Sequence, residues 1–60
     1  MTRELVTVKE VAATLGVSQS LLRDWRDEGI GPPWFRLERM IRYDKRELME
    51  WLEAKKQQTS

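Results

Sequence analysis

The sequence predicts a mostly α domain carrying one small β-hairpin, in the order helix, tight turn, helix, hairpin, helix. Two glycines, Gly16 and Gly29, each close an amphipathic run that opens on a capping residue. Gly31, Pro32 and Pro33 then bar any helix, and two runs rich in β-formers follow them. A third capped run ends the chain. No repeat or linker interrupts the 60 residues, which read as a single domain with an ordered core over 5–54 and a flexible tail over 55–60.

The first helix starts at Thr7, whose hydroxyl and Glu10 three residues on form a capping box. Val6 and Val11 stand at the spacing of a hydrophobic staple, and Val8, Val11, Ala12 and Leu15 share one face. After Gly16 the pattern restarts at once. Ser18 is the second N-cap, Val17 and Leu22 repeat the staple, and Leu21, Leu22 and Trp25 form the stripe expected to be buried. Past Gly29, Ile30 is placed to touch Trp25, as in a Schellman ending. Two short helices joined by Gly16, Val17 and Ser18 match a helix-turn-helix arrangement.

The hairpin is expected from residues 34–37 and 40–43, with Glu38-Arg39 as a two-residue loop. Phe35 and Leu37 alternate with Arg36, and Ile41 and Tyr43 alternate with Arg42, so the expectation is one apolar face and one basic face. The last helix opens on Asp44 with Glu47, and Tyr43 and Leu48 make a third staple. Leu48, Trp51 and Leu52 form its apolar stripe, and Lys55 and Lys56 suit its C-terminal dipole. Trp25 and Trp51 are expected in the core. Trp34 is open between packing under the hairpin and facing a partner.

Composition narrows the chemistry. With no Cys and no His, the chain has no disulfide, none of the usual zinc ligand sets and no Ser-His or Cys-His pair. No metal or cofactor is expected, and neither is enzymatic activity. No apolar stretch approaches the roughly 20 residues of a membrane span, and no signal-peptide core opens the chain. The expected setting is the cytoplasm. Lys+Arg 11 nearly balances Asp+Glu 10, so distribution matters more than total. Arg36, Arg39 and Arg42 outnumber Glu38 in the hairpin, whereas from Asp44 to Ala54 the acids Asp44, Glu47, Glu50 and Glu53 outnumber Lys45 and Arg46.

From Leu5 to Leu52 the chain resembles the small winged helix-turn-helix domains of excisionases (recombination directionality factors) and their MerR-like relatives. The resemblance is carried by Leu5-Val6-Thr7-Val8-Lys9-Glu10-Val11-Ala12, Leu15-Gly16-Val17-Ser18, and Trp25 with Glu28-Gly29. Pro33, Arg36-Leu37, Arg42-Tyr43, and Leu48 with Trp51-Leu52 continue it. Glu38-Arg39 stands where the wing tip often has glycine, and Asp24 and Asp27 add negative charge to the expected docking side.

The resemblance implies a bacterial, DNA-associated accessory protein that binds and bends double-stranded attachment-site DNA and directs a phage-type integrase toward excision. It makes residues 18–28 a major-groove recognition helix and the hairpin a minor-groove wing. Residue chemistry agrees. Ser18, Gln19 and Ser20 lie at a helix N-terminus suited to phosphate or base edges. Gln19 fits adenine, Arg23 fits guanine O6 and N7, and Arg26 is placed for a phosphate or flanking base. Arg36, Arg39 and Arg42 are the wing candidates, with Arg39 at the tip facing a narrow minor groove. Lys9 is a further phosphate candidate.

Each candidate has a plainer alternative. Arg23 pairs with Asp27 four residues on, Gln19 and Ser20 are solvated first-turn residues, and Arg36 and Arg42 are edge-strand charges that deter aggregation. At the level of function, a small phage or plasmid transcriptional regulator fits the same fold. A protein-interaction module would instead use the basic hairpin on an acidic partner. The opposed charges of hairpin and last helix also suggest head-to-tail self-association on DNA, a contact that propagates unless it closes.

Overall fold

A computed structural model describes residues 4–59; residues 1–3 and Ser60 of the expected domain and tail lie outside it. The elements are β1 (Leu5–Thr7), α1 (Val8–Leu15), α2 (Gln19–Glu28), β2 (Phe35–Leu37), β3 (Met40–Asp44) and α3 (Lys45–Thr59). The three strands form one antiparallel sheet in the order β1-β3-β2. The architecture is a winged helix-turn-helix.

All three helix starts follow the expected local chemistry. Thr7 and Glu10 form the full capping box, with Glu10 N donating to Thr7 Oγ1 at 3.1 Å and Thr7 N to Glu10 Oε1 at 3.3 Å. Ser18 Oγ accepts from Leu21 N at 3.0 Å. Asp44 Oδ1 accepts from Arg46 N at 2.9 Å and Glu47 N at 3.3 Å. The fourth residue after each cap is Val11, Leu22 or Leu48, and with Ala12 and Tyr43 these make the buried core. The core therefore forms where three helix N-termini converge on the sheet, and Val6, Val17 and Tyr43, the residues before the caps, pack into it.

The helix ends are equally local. Gly16 and Gly29 are left-handed, with φ of 70° and 75°. At the second, Ile30 N donates to Trp25 O at 2.9 Å and Gly29 N to Arg26 O at 3.2 Å, the paired bonds of a Schellman motif.

Four expectations are corrected. β1 was not anticipated: Val6 pairs with Tyr43, Thr7 with Arg42 and Leu5 with Asp44, and Lys45 N donates to Glu4 O at 2.9 Å. The lead-in to the first cap is thus also an edge strand. α3 continues to Thr59, through the stretch where a tail was expected after 54. Trp25 and Trp51 are half-buried rather than core, their rings 6.2 Å apart at 48°, and Leu21 is exposed.

The fourth correction concerns the hairpin faces. Leu37 pairs with Met40, Arg36 with Ile41 and Phe35 with Arg42. Cross-strand partners share a face, so Ile41 and Tyr43 turn toward the helices together with Arg36. Phe35, Leu37 and Met40 lie on the other face with Arg42, and all three apolar residues are exposed. Neither face is purely basic or purely apolar.

Candidate nucleic-acid interface

α2 is amphipathic in the sense a groove-reading helix needs. Leu22 is buried and Trp25 half-buried on the side packed against the body, while Gln19, Ser20, Arg23, Asp24 and Asp27 are exposed. The charge along it is uneven. Its N-terminal half carries Gln19, Ser20 and Arg23, and its C-terminal half carries Asp24, Asp27 and Glu28. Free N–H groups and the positive dipole end coincide with the half that lacks carboxylates, so anion binding is favoured there.

Individual side chains are held differently. Ser18 uses one of its two lone pairs on the cap, leaving its O–H free to donate. Among the described residues Arg23 forms no ion pair, so the pairing with Asp27 that sequence spacing allows is not made. Its guanidinium faces solvent. Lys9 is exposed on the first turn of α1.

Arg26 is not a freely extended side chain. Its Nη1 donates to the hydroxyl of Tyr43 at 3.0 Å, tying the last turn of α2 to the central strand. In the sequence Tyr43 reads as a staple and inward strand residue, with no sign of this contact. Nothing local signals it, because the two residues meet only through the tertiary fold.

On the wing, Arg36 and Arg39 are exposed, with Arg39 in the loop beside Glu38. Arg42 is folded back on its own strand, Nη1 donating to Ile41 O at 2.8 Å and Nη2 to Met40 Sδ at 3.2 Å. Being on the opposite face from Arg36, it does not form a single basic surface with it. Behind the interface, Trp25, Ile30, Gly31, Trp51 and Lys55 line an open apolar groove, with Lys55 Nζ 5.7 Å from the centre of the Trp51 ring.

Among the described residues no group of acidic side chains is placed to hold a metal ion, and no helix is long and apolar enough to cross a membrane. A family model described as a helix-turn-helix domain matches residues 5–56. Comparison with curated proteins and with solved structures finds no match.

Proposed function

The chain belongs to the helix-turn-helix domain family, and on that premise we propose that it is a DNA-binding accessory protein of the excisionase type. In this reading α2 enters the major groove, with Gln19, Ser20 and Arg23 at base edges and the free N–H groups after Ser18 on phosphate. The wing follows the adjacent minor groove through Arg36 and Arg39, and Lys9 meets the backbone. Arg42, on the hairpin face opposite Arg36, contributes through long-range charge rather than alongside it. The observation that supports this best is the exposed, unpaired Arg23 on the carboxylate-poor half of α2.

The protein would bend attachment-site DNA so that a phage-type integrase assembles the excisive complex. A single module of this size buries about 600–1,000 Å² on DNA, so adjacent copies would reinforce one another. The basic wing of one copy and the exposed carboxylates Glu47 and Glu50 in the first turns of α3 of the next have the charges for such a head-to-tail contact.

Footprinting on DNA from the same genetic element tests the proposal. Several protected sites at regular spacing near an integrase attachment site are expected, with occupancy rising cooperatively. A footprint confined to one promoter would assign a transcriptional regulator instead. Unchanged affinity in both Arg23→Ala and Arg39→Ala would overturn the docking surface.

A further inference from the structure

We infer that Tyr43 is a positioning residue for DNA binding, its phenol holding Arg26 in place as a phosphate clamp between recognition helix and wing. The inference rests on the DNA-binding reading above and adds a residue that itself touches no DNA. Tyr43 is 1% exposed, and its ring is fixed within the core beside Leu22 and Leu48. The hydroxyl is therefore a rigid acceptor at the core's edge. Arg26 is half-buried and gives it one N–H. A guanidinium has five N–H groups in a planar fork, so one such bond sets the plane and leaves other donors for a phosphate.

The identity of the acceptor matters as much as its position. Asp27 and Glu28 follow Arg26 in sequence, yet among the described residues no carboxylate pairs with it. A carboxylate would neutralise the charge that a phosphate needs. A phenol orients the guanidinium and leaves its charge uncompensated. Ordering a long arginine side chain before binding also removes part of the entropy that contact with DNA would otherwise cost. The bond further connects α2 to β3, so the helix and the wing present their contacts from one frame.

A double-mutant cycle tests this on a fluorescent duplex selected by the wild-type protein from a random-sequence library. Tyr43→Phe keeps the ring, and a melting curve checks that it folds. It is expected to weaken binding about two- to tenfold, the worth of one ordinary hydrogen bond. In an Arg26→Ala background the same change should have no further effect, and Arg26→Ala should lower the salt-dependence slope by about 1. Arg26→Lys keeps the charge without the fork and is expected to bind more weakly than wild type. Equal losses from Tyr43→Phe in both backgrounds would reduce Tyr43 to a purely structural role and overturn the inference. So would wild-type affinity in either Tyr43→Phe or Arg26→Lys. Failure of the wild-type chain to select any duplex would remove the DNA reading itself, a result distinct from these.

Discussion

Leu37 stands directly opposite Met40, so Glu38 and Arg39 alone reverse the chain between β2 and β3. Glu38 has φ of 58°, a left-handed conformation that a two-residue hairpin loop demands and that glycine adopts without steric cost. Glu38→Gly is expected to stabilise the domain by about 0.5–1 kcal/mol. At this chain length that is a rise of roughly 2–8 °C in Tm, readable by circular dichroism. An unchanged or lower Tm would mean that the loop is not strained.

The hairpin faces can be distinguished by paired substitutions. Ile41 packs on the core, whereas Leu37 is 42% exposed. Ile41→Ala is expected to cost about 1–2 kcal/mol, below the range for fully buried isoleucine. Leu37→Thr should cost under about 0.5 kcal/mol, since threonine suits a strand and little is buried. Urea denaturation reads both. The reverse ranking would return Leu37 to the inner face.

Asp44 is only 4% exposed and caps α3 through two backbone N–H groups. Asp44→Ala should cost about 1–2 kcal/mol, and Asp44→Asn clearly less because asparagine also caps well. By contrast, Lys45 and Glu4 form a 3.4 Å ion pair between largely exposed side chains. Lys45→Ala should therefore change stability by less than about 0.5 kcal/mol. Comparable losses from Asp44→Ala and Lys45→Ala would remove the special role of the cap.

Gly31 has φ of 88°, and a Cβ there would lie 2.9 Å from Trp25 Cε3. Gly29 has φ of 75° but open space where its Cβ would be. Gly29→Ala should cost about 1 kcal/mol from backbone strain alone. Gly31→Ala should cost more, because the added methyl also collides with the Trp25 side chain. Tryptophan fluorescence is expected to shift in Gly31→Ala and to stay unchanged in Gly29→Ala.

Much of the fold was legible in the sequence, as was the exposure of the side chains proposed to meet DNA. The hairpin faces were within its reach: a two-residue loop pairs each odd position with an even one, so Phe35 and Leu37 cannot share a face with Ile41 and Tyr43. Alternation along each strand gives no hint of this until the two strands are registered. The exposure of Gln19, Ser20 and Arg23 on α2 followed from helical spacing, because their apolar neighbours Leu22 and Trp25 define the opposite side.

From its own order of residues the chain determined where each helix begins, where the first two end, and which side chain after each cap goes inside. Thr7, Ser18 and Asp44 act on N–H groups within three residues, and Gly16 and Gly29 act on the turn just completed, so no distant partner is needed. Only the tertiary structure decided that Leu5–Thr7 is a strand and that Arg26 meets Tyr43. A three-residue edge strand has no periodicity to read, and a long arginine goes to whichever acceptor the packed core brings within reach.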